Sequence, residues 1–408
     1  MTKKVVVLGA GGGIGSVAVR ALTALGEFEH VVAADVRLEA AREVAGAVPG
    51  GRVQAARVDA SDPASLLEVL RGANVVLNCI GPFYRFGPPI LDAAIEARVP
   101  YVDVCDDLGP TVTMLGRDGA ARDAGIPALV GMGNSPGLAN VFARLCADTF
   151  FEQVESVDIM HIHGGEPQEG PAVIKHRIHA MTTDIPVYLD GKFTTVRHME
   201  PSGQDMVVET EFRGIGTHPV YPYPHPETVT LPEHIPGLRR ATNMGVVFPL
   251  SYFRLTQDMV RVGACTEEPL SVQGQPVVPL EFSVAHILAR RPTLLREAGI
   301  TEAGGCLKVE VAGQREGEHR RMVLSLSSSS AGAGEGTAIP AAVGAVLLHR
   351  GAVTRTGVFP PEAGMPPVAV LELALEAAHL LGVGGGGDAV HVEEIDARGD
   401  RTEVPLQS

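Results

Sequence analysis

Tryptophan is absent from this 408-residue chain, and aromatic residues together make up only 4 % of it. Indole fluorescence therefore cannot report on ligand binding. Cysteine is sparse and scattered: Cys79, Cys105, Cys146, Cys265 and Cys306 are odd in number and form no C-x-x-C pair. That usage fits a reducing, cytoplasmic setting and argues against a disulfide framework. No lysine or arginine run stands out against a net charge of −15, which argues against nucleic acid and anionic membrane as partners. Apolar runs are short as well. The longest, such as 338–348, fall short of a membrane span, and residues 1–4 lead into a strand with no room for a signal peptide.

What the chain does have is apolar residues, 45 % of the total, and enough length for two domains. Its organising stretch lies at the start. A short apolar strand, residues 4–8, runs into the glycine-rich turn 9–15, and a helix follows from Ile14 to Leu25. Glycines let the backbone turn tightly and approach a pyrophosphate, while the helix N-terminus offers unpaired N–H groups. Twenty positions after Gly15, at the end of the next strand, Asp35 is placed to grip a ribose diol. Strand, glycine turn, helix, strand and terminal acid in this order predict a dinucleotide site made by Gly9, Gly12, Gly13, Ile14, Gly15 and Asp35. The spacing is G-x-x-G-x-x-G, one residue longer than the commonest fingerprint, because Ile14 falls where its last glycine would be.

Residues 4 to about 135 alternate strand and helix, with strands expected at 4–8, 31–35, 52–58, 74–80, 101–104 and 126–130. The intervening helices are expected at 37–47, 63–71, 88–98 and 110–124. Continuous apolar strands predict a parallel sheet covered on both faces, hence an α/β class with a Rossmann doubly wound sheet. After residue 138 the pattern turns into runs of strands and helices, which predicts a mixed α+β second domain. Helices are expected at 171–183, 281–289, 338–349 and 367–381. Strands are expected at 154–163, 191–198, 205–213, 243–249, 307–312, 321–326 and 390–394. The Pro-, His- and Tyr-rich segment 217–236 reads as irregular, and part of it, 217–225, as a lid over the cleft. Residues 384–387 read as a flexible linker. The helix at 338–349 is too apolar to stand alone, so the division is 1–137 completed by 338–408, with 138–337 as the substrate-binding and dimerisation domain.

Asp35 favours NAD, since a carboxylate there repels a 2′-phosphate, whereas Arg37 two residues on is placed to hold that phosphate and keeps NADP open. Asp59 either faces an adenine edge or caps the next helix. The loop after the fourth strand, with Ile80, Gly81 and Pro82, passes the nicotinamide, and Tyr84 beyond it is a substrate-binding candidate. Cys79 reads as packing rather than a nucleophile. Asp103, Asp106 and Asp107 gather at the end of the fifth strand, and Asp106 and Asp107 bind an ammonium group, act as a general base, or cap the following helix. The second domain supplies imidazoles and cations. His161 and His163 share a strand face, and Lys175 and His179 stand one helical turn apart. Such pairs can ligate zinc, but no further ligand converges and hydride transfer needs no metal, so no metal is assigned. His163, Arg177 and Arg239 are the substrate-binding candidates, and Asp106, Asp107, Lys175 and His179 the catalytic ones.

These motifs resemble the saccharopine dehydrogenase-like oxidoreductases. The matching stretches are the glycine loop, 58–62, 78–83, 100–103, 131–140, 188–191, Gly336 with Thr337, and 357–362. The resemblance implies an NAD(P)-dependent enzyme acting on the C–N bond of an amino acid or an opine-like small molecule. It also implies a first domain completed by C-terminal elements and a second domain with a dimer-forming sheet, hence a homodimer. Two other readings stay open: a non-catalytic dinucleotide sensor, and a reductase of a C=C or C=O group in a lipid-like substrate.

Overall fold

The computed structural model describes residues 3–166, 169–328, 334–383 and 390–405. Its strands are β1 (Lys4–Leu8), β2 (His30–Asp35), β3 (Val53–Arg57), β4 (Val75–Asn78), β5 (Tyr101–Asp103), β6 (Pro127–Leu129), β7 (Gln153–Gly164), β8 (Asp184–Leu189), β9 (Lys192–Arg197) and β10 (Val208–Phe212). They continue with β11 (Gly216–Pro222), β12 (Arg240–Phe248), β13 (Leu270–Val272), β14 (Gln275–Val277), β15 (Gly304–Arg315), β16 (Glu318–Ser328), β17 (Gly357–Phe359), β18 (Val390–Ile395) and β19 (Arg401–Glu403). The helices are α1 (Gly13–Leu25), α2 (Leu38–Ala47), α3 (Pro63–Leu70), α4 (Phe83–Ala97), α5 (Leu108–Leu115), α6 (Asp118–Ala124) and α7 (Leu138–Thr149). After them come α8 (Pro171–Thr182), α9 (Pro201–Gln204), α10 (Glu227–His234), α11 (Leu250–Arg261), α12 (Pro279–Glu297), α13 (Gly334–His349) and α14 (Pro367–Leu380).

Seven strands form a parallel sheet in the order β17-β6-β5-β4-β1-β2-β3. Val5–Val7 of β1 and Val75–Leu77 of β4 are fully buried, as expected of central strands with helices on both faces. The chain reverses direction across the sheet between β1 and β4, so the carboxyl ends of these strands open a crevice for a ligand. α13 is buried along Ala338–Leu348 and packs against α1, β4 and β5, which is what a helix apolar on every side requires. α14 covers α13 and α1.

The second sheet is mixed and runs β10-β11-β12-β7-β15-β16-β18-β19, with β8 attached to β12 and β9 to β8. Here the structure departs from the expected division. β18 pairs antiparallel with β16, and β19 with β18, so residues 390–403 complete the second sheet rather than the first. The reason is an open edge: β16 is long and would otherwise leave its outer backbone groups unpaired.

Segment 217–236 is ordered instead of irregular. Residues 216–220 of β11 pair with β10, and Pro219 is tolerated because pairing to β12 starts only at Tyr221. α10 then starts beside Pro226. The 110–124 helix is two helices, α5 and α6, and α4 begins at Phe83, five residues before its expected start. α11 and the β13–β14 hairpin went unpredicted, while the expected 384–387 linker lies outside the described residues. Among the described residues no helix is long and apolar enough to cross a membrane.

Candidate active site

The glycine loop shows which glycine does what. Gly9 has φ +77°, which makes the tight turn after β1, and a Cβ there would meet the Cys79 carbonyl at 3.0 Å. Gly15 lies against the Gly9 carbonyl so closely that a Cβ would sit 2.2 Å from its oxygen, which seats α1 on the strand. Gly12 and Gly13 are exposed, no side chain caps α1, and a Cβ at Gly13 would meet nothing within 4 Å among the described residues. Bare amides at this helix start form the cradle an anionic pyrophosphate needs. Ile14 begins the turn behind it.

Asp35 is buried at the end of β2. Its two oxygens accept from Gly11 N and Arg37 N, each at 3.0 Å, which ties this carboxylate to the loop. Arg37 points outward with its guanidinium 4.0 Å from that carboxylate. Asp59 accepts from the Ser61 amide and hydroxyl, which hold its carboxyl below the usual range, while Asp62 caps α3. These residues fit a nicotinamide dinucleotide.

At the carboxyl ends of β4 and β5 lies a buried network that sequence reading missed. Asn78 donates to the Tyr101 hydroxyl at 3.1 Å and accepts from Ile80 N at 2.9 Å. Tyr101 donates to Asp103 at 2.8 Å, whose other oxygen accepts from Gly131 N at 2.7 Å and Cys105 N at 3.1 Å. Burial pushes the Asp103 carboxyl up to about 6 despite these donors. The network fixes the 80–82 and 131–137 loops relative to each other, so Asp103 is a scaffold for the cleft. Gly81 and Pro82 form the bend before α4, where Tyr84 is exposed on the first turn. Burial, with Asp103 nearby, raises the Cys79 thiol to about 12, which keeps it unreactive.

Asp107 occupies the cap position of α5 but makes no capping bond. Its carboxylate instead faces His176 Nδ1 on α8 at 3.6 Å. Burial first, then Asp106, raises the Asp107 carboxyl; His176, His225 and His179 work the other way. Asp106 is exposed beside it. From the second sheet come Tyr223 and His225, on the segment leaving β11, and His161 on β7. Their ring centroids lie 5.3–5.6 Å apart, and His176 is 6.1 Å from Tyr223. Segment 217–225, expected as a lid, thus supplies a strand and two residues of the cleft wall. The clue in the sequence was its density of Tyr and His, which read as loop because prolines alternate with them.

The structure does not bring all the expected groups together. Lys175 is bound by Glu281 of α12 at 2.5 Å, and His179, one turn on, is exposed. His163 pairs with Glu166 at 2.9 Å. Arg239 is exposed on the turn before β12, its amide bonded to the Glu155 carbonyl at 2.8 Å. Arg177 is 3 % exposed; it bonds Glu169, which also takes the Tyr252 hydroxyl and faces Arg291 Nε at 3.1 Å. Among the described residues, Arg177 Nη1 is buried without a hydrogen-bond partner.

A Rossmann sheet with this loop, facing a second sheet across a cleft of carboxylates, imidazoles and a buried arginine, defines an NAD(P)-dependent two-domain oxidoreductase. Residues 5–129 match the saccharopine dehydrogenase NADP binding domain. Over this first domain the chain is similar to the saccharopine dehydrogenase-like oxidoreductases. It is 26 % identical over 374 residues to a carboxyaminopropylagmatine dehydrogenase of a Synechocystis species, covering 87 % of this chain and 91 % of that one. Against a carboxynorspermidine synthase of Vibrio alginolyticus the identity is 26 % over 337 residues, 76 % of this chain and 77 % of the relative. The fold is shared with apo saccharopine dehydrogenase (L-Glu forming) from Saccharomyces cerevisiae, with a TM-score of 0.69, 14 % identity, and coverage of 96 % and 100 %.

Proposed function

We propose that this enzyme makes or breaks the C–N bond of an amino acid or carboxylated amine, and that the cleft between β5 and α8 is where it does so. The observation that carries this reading is the Asp107–His176–Tyr223–His225 cluster at the carboxyl end of the parallel strands. The names of the two relatives point the same way, since both denote carboxylated amines.

A bound nicotinamide supplies the hydride chemistry. The chain's residues do the rest. Asp106 and Asp107 hold the cationic amine; Arg177 Nη1, a buried donor without a partner among the described residues, takes a substrate carboxylate. Tyr84, exposed at the start of α4, and His163 border the substrate entrance. The imidazoles of His176 and His225 move the proton that C–N oxidation or imine reduction requires. Asp35 directs the preference toward NAD. The enzyme acts in the cytoplasm as a homodimer, associating through the open face of the second sheet. A polar groove of about 410 Å³ on that face is lined by Asp158, Arg240, Glu310 and Arg321 among others.

A reduced-nicotinamide absorbance screen over amino acids, carboxylated amines, and pairs of amines with aldehydes or 2-oxo acids, using both cofactors, tests the reading. Turnover is expected with carboxylated amines or their imine precursors. Turnover confined to alcohols, ketones or C=C substrates overturns it.

A further inference from the structure

One buried charged group has no part in the chemistry above. Glu227, at the first position of α10, is 0 % exposed. A carboxylate taken fully out of water is retained only where other groups compensate it. Oε1 accepts from the Ser135 hydroxyl and lies 3.5 Å from Asn243 Nδ2, which also donates to Ser135 Oγ at 3.2 Å. Oε2 faces His225 Nδ1 at 3.3 Å, off the line of an ideal hydrogen bond, and among the described residues neither atom has another partner. Ser135 comes from the loop that follows β6, and Asn243 from β12, so both sheets clamp this carboxylate.

We propose that Glu227 is a positioning residue for His225: it holds the proton on Nδ1 and leaves Nε2, on the other side of the ring, to exchange a proton with the substrate nitrogen. This rests on the C–N reading. When a secondary ammonium is oxidised, Nε2 takes an N–H proton, and the freed lone pair forms the C=N bond as the hydride leaves the carbon for the oxidised nicotinamide. The imidazolium that results is held by Glu227. In the reductive direction the same proton returns to nitrogen as the C=N bond accepts the hydride.

The surroundings decide which imidazole carries the charge. His225 is faced by His161 from β7, Glu227 from α10, Tyr223 from its own segment, and Asp106 and Asp107 beyond β5, with His176 of α8 behind Tyr223. Burial opposes its charge, but Glu227 with the two aspartates outweighs burial and raises its proton affinity above the ordinary value. His161 goes the other way: burial first, then His225 and His163, push it well down. Its ring packs against Gly245, where a Cβ would fall 2.1 Å from Cε1. Of the stacked pair, His225 is the one that protonates.

The test uses the full chain labelled at histidine, with the His225 signal assigned through His225→Gln and followed by NMR titration without substrate. In the wild type His225 is expected to titrate above an ordinary histidine, with Nδ1 as the protonated nitrogen of the neutral ring. Glu227→Gln, which keeps an acceptor for Ser135, should lower that midpoint at least tenfold in proton concentration. With a substrate found in the screen, the same variant should lose about 10²-fold in kcat and shift the kcat pH profile, with dinucleotide affinity unchanged. An ordinary or lower wild-type midpoint overturns the proposal even if Glu227→Gln fails to fold, and so does an unshifted pH profile in a folded variant. Failure of the C–N reading looks different: the titration stands while carboxylated amines give no turnover.

Discussion

Replacing Glu362 with glutamine should make the protein more stable, and only at the higher pH values. Glu362 follows β17 and is 2 % exposed; one oxygen accepts from Asn140 Nδ2 at 2.8 Å. Burial dominates, with nearby Glu227 adding to it, and the carboxyl rises from the ordinary 4.5 to about 7. The sign follows from which state holds the proton. Below 4.5 both the folded and unfolded chains are protonated and nothing is lost. Between 4.5 and about 7 the unfolded chain releases its proton while the fold keeps it, so stability falls as pH rises. Above about 7 the full penalty is present, on the order of 3 kcal/mol. Roughly 2.5 kcal/mol of it appears between pH 5 and pH 8. Glutamine keeps the shape and the acceptor for Asn140 but has no proton to lose. Calorimetric melting of both proteins at the two pH values reads the effect. Nearly equal midpoints are expected at pH 5, and at pH 8 a variant higher by about 3 °C for a chain of this length melting as one unit. Asp103, also raised, is common to both proteins and cancels. An offset that is the same at both pH values would refute the reasoning, because it would mean Glu362 is ionised throughout.

Other perturbations separate the parts of the site. Asp35→Ser should shift dinucleotide preference toward NADP by roughly tenfold or more, with the exposed Arg37 taking the phosphate; titration calorimetry that already favours NADP in the wild type contradicts the Asp35 assignment. Gly15→Ala places a Cβ 2.2 Å from a backbone oxygen and should cost about 2 kcal/mol or more of stability, read by denaturant unfolding. Gly13→Ala meets nothing within 4 Å, so it should melt normally yet bind the dinucleotide about tenfold more weakly, because its methyl group occupies the pyrophosphate's approach. Asp107→Asn and His176→Gln should each lower turnover about 10²-fold, whereas Lys175→Met, whose ammonium is held by Glu281, should stay within about threefold. Equal losses in all three variants would move the proton-transfer group toward Lys175.

The first sheet was legible because its signals are local. A buried parallel strand is a run of apolar residues, a turn that approaches a phosphate needs glycine, and Asp35 follows at a distance set by one helix and one strand. The same locality explains why Asp106 and Asp107 could be placed at a sheet edge from spacing alone, and why their choice between capping and catalysis could not be made. That choice depended on His176, which is distant in sequence and reaches Asp107 only when α8 docks. Spacing also grouped Lys175 with His179, since i and i+4 share a helix face, but which face meets the cleft is settled by packing. Glu281 holds one side, and His176 and Arg177 point elsewhere. The tail strands and the wall at Tyr223 and His225 were hidden for a related reason: β-pairing between distant segments leaves little trace in a short window, and prolines between aromatic residues read as loop until a partner strand is present. The sequence by itself determined the dinucleotide cradle, because backbone geometry demands particular residue types there. Only the tertiary structure decided which acids and imidazoles share the cleft, because that depends on the docking of elements far apart in the sequence.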